Sequence, residues 1–586
     1  MIDFRASGAK SGLRAAFSIL KDAPITDVLV IGATAACFAA SFVVGNHYPP
    51  WTSAYHDMLA AVTLLLLLAS TVRPGAGWTV PRPALAIGSL VILPLLQFAG
   101  GRVMFFGDAW IATLYLFAFA LAIVAGFNAS TLWPTRAVRG FCTIWVGVAL
   151  LSCLLVLVQR FAIDPGDFGL FLWDVRPGHA PFGNLGQPNQ LATLLLLALL
   201  ALVYLFESGY ARGRWVALAA ALIVVCMALT QSRAGLLLLV TAAALLWFYQ
   251  PRLKLRAARW AALPYVGLWV ACFFTLPRIG EALGLTSTAS VTSRLQTGPR
   301  TIIWTQLWDA AKAQPWFGYG WNQVSVAQMQ VAADFGETRF TEDSHNIVLD
   351  LLLWVGFPLT AVIVGVGSWW LVTRARRVRS LESLFGLTFT VLLLTHSMVE
   401  FPLTYLYFLV PFGVAVGVVE AGSARPRGTG PGRRLSGRSA RYLLATFAAV
   451  LAFVAIDYVH FEGKYRELRL TLARVGVPLV KASDPPVKTQ FTQLAALYEF
   501  PRIDVGPNMA AEQLAWMGRV ALRHPYVPVL FRYALAQALN GDTAGAELTL
   551  ARMKRLHTER NYRDAKFQFD ELAAGRYPQL KAVTFR

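Results

Sequence analysis

His345 is the side chain in this sequence best suited to accept a proton from a substrate. It stands in the run Glu342-Asp343-Ser344-His345-Asn346, directly before a long apolar stretch. Imidazole titrates near neutral pH, so a histidine within reach of a hydroxyl group is a candidate general base. A histidine at the edge of a membrane helix can also be purely structural, and the sequence leaves that alternative open.

Two arginines have the character of phosphate ligands. Arg233 occupies a tight turn between two apolar stretches, and Arg300 begins an amphipathic stretch that contains Trp304 and Trp308. An arginine at membrane depth costs roughly 2.5–3.5 kcal/mol, so it usually has a partner or a ligand. Two guanidinium groups suit a diphosphate, because each can pair bidentately with phosphate oxygens. The structural alternatives are snorkelling for Arg233 and interfacial anchoring for Arg300.

Amide side chains cluster before another apolar stretch, at Gln187, Asn189 and Gln190. Amides donate and accept hydrogen bonds at once, so they suit a hydroxyl-rich ligand such as a sugar. The alternative is a helix start with Asn189 as its capping residue. That alternative explains one asparagine but not two glutamines as well.

A further polar group comprises His396 and Glu400, followed by Tyr405 and Tyr407. Residues four apart lie on the same face of a helix, so His396 and Glu400 are candidates for a side-chain pair or for metal ligation. No third ligand is evident, which favours the pair. The five cysteines all lie in apolar stretches without ligand or disulfide spacing, so cysteine chemistry is not expected.

Composition indicates the kind of scaffold that must hold these residues. Hydrophobic residues make up 56% of the 586 and charged residues only 14%, whereas soluble chains carry roughly 25% charged residues. Stretches of about 20 apolar residues cross a bilayer as helices. The sequence predicts an all-α polytopic membrane protein with about thirteen spans, near 25–44, 56–72, 83–99, 109–127, 140–159, 190–206, 215–231, 234–250, 260–277, 346–373, 384–400, 403–420 and 442–459.

The positive charge indicates the orientation. The net charge of +20 is concentrated in alternate short loops, and the 421–441 linker holds six arginines and no acid. This distribution indicates that the positive charge serves orientation at a membrane surface and not binding of nucleic acid. It predicts that these loops and an N-terminal tail at 1–24 are cytoplasmic. The transmembrane domain then covers 25–459. Loops at about 160–189 and 278–345 and a C-terminal domain at 460–586 lie on the outer, periplasmic face.

The C-terminal domain has a helical pattern. From Tyr526 to Gln568, Ala, Leu and Phe recur at spacings of three or four, interrupted by Asn540-Gly541-Asp542. This predicts two antiparallel helices of a tetratricopeptide-like unit. A protein-binding role and a simple helical cap remain equal alternatives. The chain has no phosphate-binding GxxxxGK[ST] loop, so ATP-driven chemistry is not expected.

Five short motifs resemble those of the bacterial O-antigen ligase and polymerase superfamily, over about residues 25–460. Two of them, containing Gln187 and His396, narrow the resemblance to the O-linked protein oligosaccharyltransferases that glycosylate pilins and other periplasmic proteins. The motifs are Gly186-Gln187-Pro188-Asn189-Gln190-Leu191-Ala192; Gln231-Ser232-Arg233-Ala234-Gly235; Arg300 and Trp304 with Pro315-Trp316-Phe317-Gly318-Tyr319-Gly320; Ser344-His345-Asn346 with Leu349, Leu352 and Gly356; and His396-Ser397-Met398-Val399-Glu400-Phe401-Pro402.

The resemblance implies a C-type membrane glycosyltransferase of the bacterial inner membrane. Such an enzyme transfers a preassembled glycan from undecaprenyl diphosphate to a Ser or Thr hydroxyl of a protein. It implies that His345 is the base and that Arg233 and Arg300 bind the diphosphate. Because the chain has no Asp-x-Asp motif and arginines can do the electrostatic work of a metal, no metal or other cofactor is expected. The substrate-contacting candidates are Gln187, Asn189, Gln190, Asn346, His396, Glu400 and Tyr405.

Other activities remain open. An O-antigen ligase that uses lipid A core as acceptor, or an O-antigen polymerase, would share His345 and the two arginines. A transporter or flippase would perform no covalent chemistry. Against a transporter, the chain shows no evident inverted repeat, and its polar residues gather at one face rather than at the bilayer midplane.

Overall fold

The computed structural model describes residues 25–45, 48–73, 77–161, 163, 172–173, 175, 179–282, 300–336, 338–423, 432–475, 480–481 and 483–585. The predicted N-terminal tail at 1–24 lies outside these residues, as do parts of the loops at 160–189 and 278–345 and of the 421–441 linker. Long apolar helices dominate the described chain, because a helix satisfies its backbone hydrogen bonds internally.

The described residues form a succession of α-helices along the chain. They are α1 (Ile25–Val43), α2 (Ala54–Thr71), α3 (Arg82–Leu90), α4 (Leu93–Ala99), α5 (Phe106–Leu132), α6 (Pro134–Arg160), α7 (Pro188–Glu207), α8 (Gly213–Leu229), α9 (Arg233–Leu253), α10 (Leu263–Ala282), α11 (Arg300–Ala313), α12 (Val324–Val331), α13 (Ile347–Ala375), α14 (Leu381–Ser397), α15 (Leu406–Ser423), α16 (Gly437–Leu472), α17 (Thr492–Glu499), α18 (Ala511–Arg523), α19 (Val527–Leu539), α20 (Thr543–Leu556) and α21 (Glu559–Ala574).

Every predicted span falls on a helix. Among the described residues, ten helical stretches are long and apolar enough to cross a bilayer, and the predicted span at 83–99 consists of α3 and α4. The other three positions fall on shorter apolar stretches: Leu29–Val43 in α1, and α8 and α14 with 17 residues each. An all-α polytopic membrane protein is confirmed, whereas the count of thirteen spans stays a prediction.

Two short strands depart from the all-helical expectation. β1 (Thr79–Pro81) and β2 (Gly432–Arg434) form an antiparallel pair in which Thr79 lies opposite Arg434. The side chain of Asn128 donates to the Thr79 carbonyl and accepts from the Thr79 amide. Three-residue strands carry too little alternation for a sequence pattern to indicate them.

The chain forms two compact units. The first comprises residues 1–89, 116–294 and 369–452, and the second comprises 90–115, 295–368 and 453–586. This division differs from the sequence-based one, because the second unit groups the C-terminal helices with segments from two earlier parts of the chain.

In the first unit, the loops predicted to be cytoplasmic lie together. The β1–β2 pair joins the loop after α2 to the linker after α15. Arg139 donates to the carbonyl of Ser208, and the carboxylate of Glu207 accepts from the backbone N–H groups of Arg256 and Ala257. Similarly, Arg252 donates to the carbonyl of Arg376. We call this region the cationic end of the first unit.

In the second unit, the core is formed mainly by α18 to α21. Its fully buried side chains include Phe500, Met517, Leu530 and Phe569. The Asn540-Gly541-Asp542 turn separates α19 from α20, as predicted, and Asp542 caps α20 by accepting from the Gly545 N–H.

The predicted pair of C-terminal helices is wrong in one respect. The stretch from Tyr526 to Gln568 contains a second break, because α20 ends at Leu556 and α21 begins at Glu559. Thr558 caps α21 by accepting from the Asn561 N–H, so a capping residue fixes this break. The stretch therefore contains parts of three helices. The similarity of these helices to a tetratricopeptide repeat stays a prediction.

A buried ion pair lies in the second unit, between Arg523 and Asp108. Two nitrogens of Arg523 donate to the two oxygens of Asp108, both at 2.9 Å. Burial alone would lower the pKa of the Arg523 guanidinium, but the Asp108 carboxylate more than offsets this effect, so the pKa is raised. The pair connects α18 to the first turn of α5.

Glycines allow residues 315–320 to lie directly against α13. Gly356 has φ 77°, and this left-handed residue kinks α13. The backbone N–H of Tyr319 donates to the carbonyl of Leu353 at 2.6 Å, and the N–H of Phe357 donates to the carbonyl of Pro315 at 2.7 Å. A Cβ atom at Gly318, with φ 63°, would overlap the Leu353 carbonyl oxygen. The glycine motif therefore holds two segments together.

Candidate active site

His345 lies in a tight turn at the start of α13, with its backbone in the left-handed region at φ 58°. The side-chain oxygen of Asn346 accepts from the N–H groups of Val348 and Leu349, so Asn346 caps the helix. The hydroxyl of Ser344 donates to the carbonyl of Asn346 at 2.8 Å. A left-handed residue other than glycine is uncommon, and such residues cluster at functional sites.

Two side chains from outside the turn fix its backbone. The Asp350 carboxylate accepts from the Ser344 N–H at 2.9 Å, and the Trp304 indole N–H donates to the Ser344 carbonyl at 2.7 Å. Ser344 is fully buried and Asp350 is 2% exposed. His345 itself is half-buried. The backbone N–H and C=O of Ser344, directly before His345, are therefore held from α13 and from α11.

Arg300 belongs to the same unit as His345. It is the first residue of α11, one turn before Trp304, or about 6 Å along the helix axis. The side chain is half-buried. Since Trp304 bonds to the carbonyl of Ser344, α11 begins beside the His345 turn. The prediction that an amphipathic helix begins at Arg300 is confirmed.

Arg233 begins α9 in the first unit and is exposed. The turn before it is tightly bonded: Gln231 has φ 54°, and its side chain donates to the carbonyls of Ala228 and Phe273. Ser232 caps α9 by accepting from the Gly235 N–H. These hydrogen bonds fix the backbone from which the exposed Arg233 side chain projects.

The amide side chains form hydrogen-bonded pairs at the start of α7. Gln190 donates to Gln187 at 2.9 Å and accepts from the Tyr407 hydroxyl at 2.5 Å. Asn189 donates to Glu400 at 2.6 Å. The alternative interpretation of Asn189 as the helix cap is wrong, since Gln187 occupies the capping position and Asn189 lies within the first turn.

His396 and Glu400 both contact α7. The His396 Nδ1 lies 2.7 Å from the Thr193 hydroxyl, and Glu400 pairs with Asn189 one turn earlier on α7. The prediction that His396 and Glu400 share one helical face is wrong, because α14 ends at Ser397 and Glu400 lies beyond it. Tyr405 is half-buried, and its ring centroid lies 5.2 Å from that of Tyr407.

The predicted site residues therefore fall into two groups. His345, Asn346 and Arg300 lie together in the second unit. The residues of the first unit are Gln187, Asn189, Gln190, Arg233, His396, Glu400 and Tyr405. Of these, Gln187, Asn189, Gln190, His396 and Glu400 take part in hydrogen bonds at the start of α7, and Tyr405 contacts Tyr407 through its ring.

Two carboxylates were missed by the sequence analysis. Asp350 holds the His345 turn, and Asp57 accepts from the backbone N–H of Leu406 at 2.7 Å, which fixes the start of α15. Each is an isolated acid in an apolar stretch, which is rare enough in a membrane segment to indicate a bonded role. Within the described ranges, no three His, Cys, Asp or Glu side chains gather as metal ligands.

The ten long apolar helical stretches among the described residues define an integral membrane protein. Three family models match the chain. An O-antigen ligase family matches residues 218–364, the C-terminal part of a virulence-factor membrane-bound polymerase family matches 384–571, and a protein glycosylation ligase family matches 181–206. The first match includes His345 and both arginines.

Two relatives are from Acinetobacter baylyi. A general O-oligosaccharyltransferase is 31% identical over 415 residues, which cover 67% of this chain and 70% of the relative. A ComP-specific O-oligosaccharyltransferase is 26% identical over 384 residues, which cover 65% of this chain and 69% of the relative. The chain belongs to the bacterial O-antigen ligase superfamily and is similar to the O-oligosaccharyltransferases. It is therefore a membrane enzyme of the glycosyltransferase class.

Proposed function

We propose that this protein transfers a preassembled glycan from undecaprenyl diphosphate to a Ser or Thr hydroxyl of a periplasmic protein such as pilin. The observation that carries the proposal is the His345 turn. Three side chains, from Trp304, Ser344 and Asp350, bond to the turn and maintain a backbone conformation that is costly for histidine. The names of the two relatives support the protein acceptor.

In the proposed reaction, the His345 imidazole accepts the proton of the acceptor hydroxyl. The hydroxyl oxygen then forms a bond to the anomeric carbon of the glycan, and the bond from that carbon to the diphosphate oxygen breaks. Undecaprenyl diphosphate departs with the electron pair. One direct displacement inverts the anomeric configuration, and a positioned base contributes about 10²–10⁴-fold to the rate.

Arg233 and Arg300 are the proposed ligands of the diphosphate. Negative charge develops on the leaving group, and stabilisation of such charge is usually the largest catalytic contribution. Arg233 is exposed at the end of a rigid turn, and Arg300 begins the helix whose Trp304 holds the His345 turn. We expect two arginines to perform this electrostatic task without a metal. Activity that EDTA abolishes and Mg²⁺ or Mn²⁺ restores would contradict this expectation.

We place the enzyme in the bacterial inner membrane, with the N-terminus in the cytoplasm and the C-terminus and active site in the periplasm. The gathering of the cationic loops at one end of the first unit supports this orientation, because positively charged loops remain cytoplasmic. A periplasmic site also requires a donor that carries its own leaving group, which a diphosphate-linked lipid supplies.

The acceptor is tested by incubating the purified protein with undecaprenyl-diphosphate-linked glycan and either pilin or lipid A core. We expect a gain of mass on pilin, lost in His345→Ala and retained in His460→Ala, an exposed histidine in α16. A gain on lipid A core alone would assign a ligase instead. Transfer that persists in His345→Ala would refute the proposed base. Comparing the periplasmic proteome with and without this chain then identifies the natural acceptor.

A further inference from the structure

An apolar cavity lies at the cationic end of the first unit, between α7, α8, α9 and the residues that lead into α10. Its volume is about 400 Å³, and its walls include Leu196, Leu200, Val216, Leu239, Leu246 and Tyr265. Protein interiors contain few voids larger than a water molecule, whereas ligand sites measure about 300–1,000 Å³. The cavity is therefore large enough for a ligand, and its walls suit a hydrocarbon.

The same cavity has a polar, cationic rim. Gln250, Arg256 and Arg259 also line the cavity, and both arginines are exposed. The Arg259 Nε donates to the Gln250 side chain at 3.2 Å, while an Nη of Arg256 donates to the carbonyl of Phe206 at 2.8 Å. These contacts fix the direction of the guanidinium groups, and each group keeps further N–H donors for an anion.

The charge around the rim is strongly one-sided. The connections at 207–214 and 250–262 hold a single acid, Glu207, whose two oxygens accept from the backbone N–H groups of residues 256 and 257. The cations of these two connections are Arg212, Arg214, Arg252, Lys254, Arg256 and Arg259.

Tryptophans mark the depth of the rim in a bilayer. Trp215 and Trp260 are 60% and 64% exposed, and the rings of Trp247 and Trp260 lie 6.3 Å apart. Arg259 stacks over the Trp247 ring, 5.5 Å from its centroid. Exposed tryptophans on membrane helices favour the headgroup level, so the cavity opens where lipid phosphates lie.

We propose that this cavity binds one acyl chain of an anionic phospholipid, whose phosphate group is bound by Arg259 and Arg256. The apolar walls select a hydrocarbon chain, and the arginine rim selects a negative headgroup; basic pockets between membrane helices bind such lipids. The site is distinct from the candidate active site. Gln190 lies sixteen residues before Phe206 on α7, or about 24 Å away along the helix axis.

The first test uses the unmodified, full-length protein. A phosphatidylglycerol with a photoreactive acyl chain is added to the protein in nanodiscs of phosphatidylcholine, and cross-linked peptides are identified by mass spectrometry. The expected cross-links fall within residues 196–220 and 239–265. Cross-links confined to other helices would overturn the assignment, whatever the behaviour of any variant.

The second test uses native mass spectrometry with two matched pairs of variants. Ala243 lines the cavity and Ala244 does not, so Ala243→Phe should weaken phosphatidylglycerol binding at least tenfold and Ala244→Phe should not. Arg259→Gln should weaken it about fivefold and weaken phosphatidylcholine binding less, because the choline cation offsets the phosphate charge, whereas Arg214→Gln should have less effect on phosphatidylglycerol binding.

Three results of these titrations would refute the proposal. Equal binding of phosphatidylglycerol and phosphatidylcholine by the wild-type protein would show that the rim does not select charge. Equal effects of Ala243→Phe and Ala244→Phe would exclude the cavity. Displacement of phosphatidylglycerol by an equal concentration of a polyprenyl phosphate would assign a different lipid class to the site.

Discussion

Replacement of Asp350 by alanine is expected to lower the rate of glycan transfer by about 5- to 150-fold. Asp350 is a positioning residue in the proposed mechanism, because its carboxylate bonds to the backbone N–H of Ser344, one residue before the proposed base His345. Without this acceptor, the turn loses one of the contacts that keep the His345 backbone left-handed.

The size of the expected decrease in rate follows from the burial of Ser344 and Asp350. Ser344 is fully buried and Asp350 is 2% exposed, so in Asp350→Ala the Ser344 N–H is left without an acceptor in an apolar environment. An unsatisfied buried donor costs about 1–3 kcal/mol. The turn can recover that energy by relaxing, which moves His345. The fraction of molecules with His345 in the productive position then falls by about 5- to 150-fold. Asp350→Asn keeps an acceptor oxygen and loses only charge assistance, so we expect about a fivefold decrease.

The assay measures kcat and KM for transfer of a lipid-linked glycan to pilin by the purified full-length protein. The effect should appear in kcat, since Asp350 is proposed to position the base and not to bind substrate. Trp304→Phe removes the other external contact to the turn and should reduce kcat by about 2- to 10-fold. Trp308→Phe, on the same helix, is the matched control and should change kcat little.

Two results would refute this reasoning. If Asp350→Ala lost well over fivefold and Asp350→Asn lost as much, the charge of Asp350 and not its hydrogen bond would matter. If Asp350→Ala raised KM and left kcat unchanged, the residue would act on substrate binding. Thermal unfolding of each variant in detergent separates a local effect on the turn from loss of the folded protein.

Three further predictions concern stability, measured by thermal unfolding of the full-length protein in detergent. Gly318→Ala should destabilise by at least about 1–2 kcal/mol, because φ is positive there and a Cβ atom would overlap neighbouring backbone, whereas Gly336→Ala, in open space, should be nearly neutral. Arg523→Leu should cost about 3–5 kcal/mol by leaving Asp108 buried and unpaired, and replacing both residues by leucine should recover much of the loss. Burial, and secondarily the Arg523 cation, hold the pKa of His524 well below its usual range. The unfolded state therefore binds more protons below about pH 6.5, so stability is full above that pH and falls as pH decreases, and His524→Gln should reduce this slope. A wild-type slope unchanged by His524→Gln, a stable Arg523→Leu protein or equal effects of the two glycine variants would each contradict the corresponding argument.

The membrane helices could be predicted from the sequence because a bilayer imposes a simple rule. A segment of about 20 apolar residues must form a helix to satisfy its backbone, so each of the thirteen predicted positions falls on a helix. Outside the apolar segments this rule does not apply. The break between α20 and α21 was missed, because it depends on a single capping residue, Thr558, within a continuing helical pattern.

The types of residue that form the candidate site could also be predicted, but not all of the contacts between them. Amides before an apolar stretch indicated a polar cluster, and the structure pairs Asn189 with Glu400 across 211 positions of sequence. The role of Asp350 could not be predicted, because a lone acid in an apolar stretch does not show which N–H it accepts from. The same holds for Trp304, whose indole reaches the Ser344 carbonyl 40 residues away.

The sequence by itself determined the membrane helices, the gathering of charge in alternate loops and the superfamily, since each depends on residue type and local spacing. Only the tertiary structure decided which side chains hold the His345 turn, how Gly318 and Gly356 allow two segments to pack, and where a lipid-sized cavity lies. These features depend on contacts between distant positions, and the energy of such a contact is set by geometry and burial in the folded chain.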